Sequence, residues 1–380
     1  MKIIYFIEGT FNSGGIERIV TGKANQLAAN GHEVIIVTTD QNGRPDFFPL
    51  KGIRRIDFNL MYRTKEKNII KEYFRRRKLI NKEKQLIKAL VKDLQPDIMI
   101  STFRYENHIL PKLKDKSIKL AEIHFQRWYR LARKRIGIYK WIDKVLSYQD
   151  LRHAKKFDRF ITLTEEDRNN WEGLKNIEVI NNFIEKKTEK PANLNAKSII
   201  AIGRLSYQKG FDRLIEAWRI VKKHYPDWNL NIYGDGPLKD DLIDRIKKYS
   251  LEDTIKIHPV TENIHKKYLE SSFLVMSSRY EGMPMVMLEA MEAGLPIVSF
   301  DFKCGPKDLI KEGENGFLVK DGDIEGLANA IIRLIENPKI RQSFGQKSFE
   351  MATQYYPDII MEKWERLFKD LINKKINEKS

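Results

Sequence analysis

The residues with the most chemistry in them lie in Arg279-Tyr-Glu281-Gly-Met-Pro284-Met-Val-Met-Leu-Glu289, where two carboxylates stand eight residues apart across a Gly-x-Pro turn. Proline suits the first helical position, whose N–H has no intrahelical partner anyway, so a helix is expected to open with Pro284 at that place. Glu281 then sits in the preceding loop and Glu289 on a helix flank. The backbone around Met283, Pro284 and Met285 points out of the helix end. Carboxylates so placed can hold hydroxyls, and helix-end amides can hold an anion. An acidic residue favouring the helix dipole, followed by a surface glutamate, would produce the same letters. Against that, Met285-Val-Met-Leu288 and Ala290-Met291 mark a buried helix, and a buried Glu289 needs a partner.

Other strand-end residues offer weaker signals. Arg204 and Lys209 stand five apart in Gly203-Arg204-Leu205 and Gln208-Lys209-Gly210, beside a helix start. Two cations there could clamp a diphosphate, or simply be solvated. His124 ends an apolar run, and a lone histidine is as readily structural as catalytic. Gly234-Asp-Gly-Pro237 reads as a strand-to-helix turn. Gly14-Gly15, between an apolar run and a helical stretch, is either a tight turn or a place where bare backbone approaches something. It is not a dinucleotide fingerprint, since Gly-x-Gly-x-x-Gly is absent, as are a phosphate-binding Gly-x-x-x-x-Gly-Lys-Ser/Thr loop and metal-ligand spacing.

These residues need elements to hold them, and the chain alternates strand with helix. Ile3–Ile7 leads to a helix over 15–30 and then a β-branched strand, Glu33–Thr39; further runs are 97–101, 120–124, 159–163 and 177–181. A polar stretch without apolar periodicity, 186–196, reads as a linker. Alternation restarts at 198–203 and continues through 229–233, 255–257, 273–276 and 296–300, with a helical end divided by Pro338 and Pro357. Such alternation predicts parallel sheets covered on both faces. The expected organisation is α/β: two Rossmann-like domains, 1–185 and 197–355, facing across a cleft, with a last helix over 356–380 crossing back to the first domain. In such sheets ligands lie beyond the carboxyl ends of the strands.

At 380 residues the chain exceeds one ordinary core. The single cysteine, Cys304, allows no internal disulfide and fits a reducing compartment. No apolar run approaches a membrane span, and the opening five-residue apolar run is short for a signal peptide, so a cytoplasmic protein is expected. The net charge of +17 is concentrated: residues 63–92 balance at +9 and 112–156 at +10, which leaves the rest of the chain at −2. One part of one domain therefore faces an anionic partner. Phe125 to Ile142 interleaves Trp128 and Trp141 with cations including Arg133, Lys134 and Arg135, a composition suited to an interfacial helix among anionic headgroups. Arg75, Arg76 and Arg77 could serve the same surface or hold an acceptor's pyrophosphate. Cations snorkelling over a helical core would look alike.

Taken together, Gly14-Gly15-x-Glu17, Gly203-Arg204-Leu205 with Lys209, Gly234-Asp-Gly-Pro237, Glu281-x7-Glu289, Ala293-Gly-Leu-Pro296 and Gly313-Glu-Asn-Gly316-Phe-Leu-Val319 resemble the family 4 glycosyltransferases, retaining enzymes of the GT-B fold. The resemblance is strongest from about 198 to 319. It implies that Arg204 and Lys209 bind the donor diphosphate and that Glu289 hydrogen-bonds the ribose hydroxyls. Glu281 and the backbone of Met283, Pro284 and Met285 would face the donor sugar. Gly14 and Gly15 would approach the phosphates from the first, acceptor-side domain, and His124 would contact the sugar near the reacting carbon. It further implies a nucleotide-sugar substrate, no cofactor, no metal, and a front-face mechanism in which the departing phosphate takes the acceptor's proton.

The chain departs from the family pattern at His258-Pro259-Val260, the loop that packs near the nucleobase, so the base stays open there. The segment 301–308, with Lys307 and Asp308, resembles members that build bacterial surface polysaccharides on lipid carriers. The expected activity is transfer of a hexose or N-acetylhexosamine, with UDP as the favoured carrier, onto a lipid-linked or saccharide acceptor such as that of O-antigen, lipopolysaccharide or capsule, at an anionic membrane surface on the cytoplasmic side. A GDP-mannose-dependent mannosyltransferase, a nucleotide-sugar epimerase or phosphorylase of the same fold, and a non-catalytic basic scaffold for lipid or nucleic acid are the alternatives. No recognisable nucleic-acid module appears, so no such partner is expected.

Overall fold

The computed structural model describes residues 1–62, 69–132 and 136–377, apart from the side chains of Ile69 and Ile70. Two compact units emerge: one comprises Met1–Leu163, Arg168–Ile180 and the chain from Asp358 onward, the other Thr164–Asp167 and Asn181–Pro357.

The first unit is built on seven parallel strands: β1 (Lys2–Ile7), β2 (Glu33–Thr38), β3 (Arg54–Asp57), β4 (Ile98–Ser101), β5 (Ile118–Glu122), β6 (Arg159–Thr162) and β7 (Ile177–Val179). Their order is β3-β2-β1-β4-β5-β6-β7, so the winding reverses between β1 and β4. Ile3 to Ile7 are all buried, as a strand covered on both faces requires. Helices α1 (Gly15–Ala29), α2 (Ile69–Leu94), α3 (Tyr129–Ala132), α4 (Ile138–Ala154) and α5 (Glu165–Asn170) accompany it, the first turn of α5 belonging to the second unit. The strand β3 has no apolar signal in its Arg-Arg-Ile-Asp letters because it is an edge strand with little surface to bury. The aromatic and basic stretch from 125 to 142 is not one helix: α3 ends at Ala132, and α4 opens after Gly137, whose φ of 62° no continuing helix adopts.

The second unit has six parallel strands: β8 (Ser198–Ile202), β9 (Asn229–Tyr233), β10 (Ile255–His258), β11 (Phe273–Met276), β12 (Ile297–Asp301) and β13 (Gly316–Lys320), ordered β10-β9-β8-β11-β12-β13. The winding reverses between β8 and β11. Its helices are α6 (Phe211–His224), α7 (Lys239–Lys248), α8 (Ile264–Leu269), α9 (Met285–Glu292), α10 (Pro306–Leu309), α11 (Ile324–Glu336) and α12 (Pro338–Ala352). α6 shows why these stretches are helical: Phe211, Leu214, Ile215, Trp218 and Val221 are buried at three- and four-residue spacing. The stretch 186–196 lies along this unit. Glu292 of α9 accepts hydrogen bonds from the Lys187 and Thr188 amides at 2.7 and 2.6 Å, and the Ala192 amide bonds to the Ala293 carbonyl.

A last helix, α13 (Pro357–Asn377), packs within the first unit, burying Ile360, Trp364, Leu367 and Phe368. Glu365 lies 2.8 Å from His32 Nε2, and Lys375 donates to the Ser117 carbonyl. No described helix is long and apolar enough to cross a membrane.

Candidate active site

In the second unit the loops after β8 and β11, the two strands flanking the reversal, converge. This is where open α/β sheets bind ligands. The Lys209 ammonium donates to Glu281 Oε1 at 2.7 Å, and the Ser278 hydroxyl donates to the same oxygen at 2.7 Å. The Gln208 side-chain amide reaches Glu281 Oε2 at 3.1 Å. Glu281 is only 8% exposed, so three donors compensate its burial. The structure thus brings together the two motifs that the sequence had 72 residues apart. Arg204 stands exposed in the loop after β8.

Glycines make this convergence possible. Gly210 caps α6 with φ 64°, and a Cβ there would lie 2.1 Å from the Ser277 carbonyl oxygen. At Gly234 a Cβ would lie 2.0 Å from the Gly203 carbonyl oxygen, so the ends of β8 and β9 meet backbone to backbone. The amide of Gly203 bonds to Tyr233 and that of Leu205 to Asp235, which ties Gly234-Asp-Gly-Pro237 to the Arg204 loop.

Pro284 is the residue before α9 rather than its first helical position, with Met285 opening the helix. Met283 is buried, its sulfur 3.3 Å from the Asn182 amide. The first turn of α9 still leaves amides without intrahelical partners at this place. Glu289 is half-buried, flanked by buried Leu288 and Ala290, and accepts a hydrogen bond of 2.7 Å from Tyr268 of α8. The partner that its burial required is therefore a phenol from a neighbouring helix.

At the end of β10 the His258 ring stacks on Tyr233, centroids 4.5 Å apart, and its Nε2 lies 2.7 Å from Asn231 Oδ1. Burial, with Lys267 and Lys256 nearby, lowers the pKa of this ring. Pro259 and Val260 are exposed beyond it. Lys307 pairs with Asp301 at 2.9 Å, and Asp308 accepts from the Glu165 amide. Cys304 is buried, and burial pushes its thiol far above the ordinary range, which excludes a ready thiolate.

In the first unit Gly14 is extended and caps α1, and Gly15 is the first helical residue. His124 lies two residues past the end of β5, not within it. Its side chain is 3% exposed, and its Nε2 is 3.2 Å from Glu122 Oε1. Burial lowers its pKa to about 4, so the ring is neutral at physiological pH.

The basic residues divide. Arg75 is turned onto its own unit, donating to Glu72 and to the Met61 and Tyr62 carbonyls, and Arg76 also bonds Glu72. Arg77 is exposed. Trp128 is half-buried beneath the Arg127 guanidinium, whereas Trp141 is 65% exposed. Arg133, Lys134 and Arg135 lie outside the described residues.

Sequence reasoning missed the groups that brace the site. Arg279 meets Asp212 with two parallel bonds of 2.9 and 2.6 Å, donates to the Tyr207 carbonyl, and lies over the Tyr207 ring. Arg213 donates to the Ser277 and Ser278 carbonyls. Neither arginine carries a local signal, since the carboxylate that Arg279 meets is in the first turn of α6 and the carbonyls that Arg213 meets lie just past β11, more than 60 residues away in each case.

Two carboxylates eight residues apart on one loop–helix unit, a lysine brought to the first of them, and two parallel sheets that each reverse their winding define a glycosyltransferase arrangement. Residues 182–351 match the family described as Glycosyl transferases group 1, and residues 13–187 match Glycosyltransferase Family 4. The chain belongs to the family 4 glycosyltransferases, and its two units have the GT-B architecture. It is 32% identical to an uncharacterized glycosyltransferase of Haemophilus influenzae, over 96% of this chain and 98% of that one. It is 28% identical to the amylovoran biosynthesis glycosyltransferase AmsD of Erwinia amylovora, over 96% and 98%. Among solved structures, a mutant of S. aureus TarM in complex with Fondaparinux, alpha-GlcNAc-glycerol and UDP has the same fold, with a TM-score of 0.79 at 19% identity, covering 97% of this chain and 99% of that one.

Proposed function

We propose that this glycosyltransferase moves a hexose or N-acetylhexosamine, with retention, from a nucleotide sugar to a lipid-linked or saccharide acceptor in cell-surface polysaccharide biosynthesis. The observation that carries the reading is the cluster of Lys209, Ser278 and Gln208 on Glu281, with Glu289 eight residues further along the same segment, in the second turn of α9. Full-length similarity to a protein of amylovoran biosynthesis supports the polysaccharide setting. UDP as the carrier rests on fold-level analogy with the UDP-bound neighbour.

In this mechanism Arg204, Lys209 and the first turn of α9 stabilise the departing diphosphate, so charge that develops on its oxygen meets prearranged donors without a metal. Lys209 exchanges Glu281 for phosphate, and Glu281 turns to the sugar hydroxyls. Glu289 holds the ribose diol, set by Tyr268. Gly14 and Gly15 supply backbone to the phosphates. His124, uncharged, faces the sugar as it becomes oxocarbenium-like, a state that an imidazolium would oppose. The departing phosphate oxygen takes the acceptor's proton and the new bond forms on the face from which it leaves.

Docking on the anionic cytoplasmic leaflet is part of the proposal. α4 exposes Ile138, Tyr139, Trp141 and Tyr148, and α2 exposes Tyr73 and Phe74 beside Arg76 and Arg77, a mixture that suits headgroups. Screening labelled UDP- and GDP-sugars for transfer onto membrane lipid extracts tests the activity, and calorimetry of UDP on Glu289→Ala tests the site. Undiminished UDP binding in that variant removes the site. Flotation with liposomes lacking or containing anionic lipid tests docking, and absence of binding at low salt removes it.

A further inference from the structure

A lysine and a glutamate bury their charges together in the first unit. Lys23 of α1 is 2% exposed and Glu122, the last residue of β5, is 1% exposed, and they form an ion pair. Such a pair costs a great deal of desolvation, and replacing it with apolar residues often stabilises a protein. Stability is therefore a weak reason for its presence, and its neighbour suggests a better one.

The carboxylate oxygen that Lys23 meets, Oε1, is also the oxygen 3.2 Å from His124 Nε2. One atom thus faces both the ammonium and the imidazole. The lysine is enclosed, its ammonium 4.5 Å from the Trp364 ring of α13 and 5.9 Å from the Tyr5 ring of β1. The charged groups that act on His124 are Glu122, which raises its pKa, and Lys23 and Arg104, which lower it, all secondary to burial. Burial pushes the Glu122 carboxyl up, but the Lys23 ammonium beside it outweighs this and keeps it a carboxylate. His124 Nε2 is buried and makes no hydrogen bond among the described residues, so Glu122 acts on the ring through its charge and its close approach. A bare carboxylate at this distance would draw a proton onto the ring.

We propose that Lys23 and Glu122 are positioning residues for His124: the carboxylate packs against the ring nitrogen, and the lysine cancels its charge so that the ring stays neutral. The pair also links the two first-unit elements assigned to the site, because α1 begins at Gly15 and β5 ends two residues before His124. This inference rests on the reading of His124 as a sugar contact.

The test follows ring titration by NMR, in protein labelled at its seven histidines, together with the pH dependence of kcat/KM on membrane acceptor. His124→Asn assigns the resonance. In the wild type the ring should titrate near 4. Lys23→Met, which leaves Glu122 unneutralised, should move that titration and the acid limb of the rate upward by about 1–3 pH units. Lys23→Met/Glu122→Gln should return the titration to its low value. A folded Lys23→Met protein with wild-type titration and rate profile overturns the proposal. If Lys23→Met does not fold, Glu122→Gln decides: kcat should fall about tenfold at unchanged donor KM, and an unchanged kcat overturns it. Wild-type turnover in His124→Asn instead overturns the reading of His124, whatever the lysine variants do.

Discussion

The contact between Arg279 and Asp212 offers the sharpest test of how the proposed donor site is held. The Arg279 side chain is 18% exposed, and its guanidinium makes two bonds to one carboxylate and a third, of 2.7 Å, to the Tyr207 carbonyl. Burial pushes the Asp212 carboxyl up, but the bonds from Arg279 outweigh it and hold the group below the ordinary carboxylate range. Tyr207–Lys209 is the turn that presents Lys209 to Glu281, and the Arg279 amide bonds Gln208 within it. Hydrogen bonds to charged groups contribute about 1.5–3 kcal/mol each when broken alone. Asp212, at 28% exposure, can rehydrate, so the net cost of Arg279→Ala is about 2–3 kcal/mol rather than the sum. If some 2 kcal/mol of that must be restored on binding, UDP affinity falls roughly 30-fold. Arg279→Lys keeps the charge without the fork and should recover only part of the affinity. Calorimetry with UDP, beside the thermal midpoint of each variant, measures this. Donor KM should rise with kcat little changed, and Asp212→Asn should add nothing to Arg279→Ala. Wild-type UDP affinity in Arg279→Ala would refute the reasoning.

Three further outcomes follow from the geometry. Gly210→Ala should destabilise the second unit by at least about 3 kcal/mol, since a left-handed residue would press its Cβ onto an immovable carbonyl; urea unfolding within 1 kcal/mol of wild type would contradict it. Gly15→Val should abolish transfer without lowering the thermal midpoint, because the first position of α1 tolerates a side chain; normal turnover would return Gly14-Gly15 to a plain turn. Glu83 is buried and accepts from the Tyr62 hydroxyl; burial, aided by the nearby Glu106, raises its pKa from 4.5 to about 8. The folded state then binds the proton more tightly than the unfolded one, so this contribution is full below pH 4.5 and is lost as pH rises to 8, at most about 5 kcal/mol. In Glu83→Gln that slope should flatten between pH 5 and 8, and an unchanged slope would refute it.

The strand–helix alternation and the Glu281–Glu289 segment were legible in the letters because both are short-range: apolar runs report burial, and a loop-to-helix spacing is set by the helix itself. The same local logic missed β3, whose edge position removes the apolar signal, and placed Pro284 one residue too far into α9. It read Arg75 as a surface cation, whereas Glu72 and two carbonyls occupy it. It also read 125–142 as helical throughout, where Gly137 turns the backbone out of register.

What the letters determined by themselves is thus the class of fold, the family, and the identity of the residues that end strands. Which of those residues meet was decided only in three dimensions. Lys209 reaches Glu281 and Arg279 reaches Asp212 because β8 and β11 lie side by side at the sheet's reversal. Lys23 reaches Glu122, 99 residues away, only once the first unit has folded and α1 and β5 share its interior. Charge neutralisation and burial depend on such neighbours, and so the neutral state of His124 is a property of the tertiary structure that no spacing in the chain encodes.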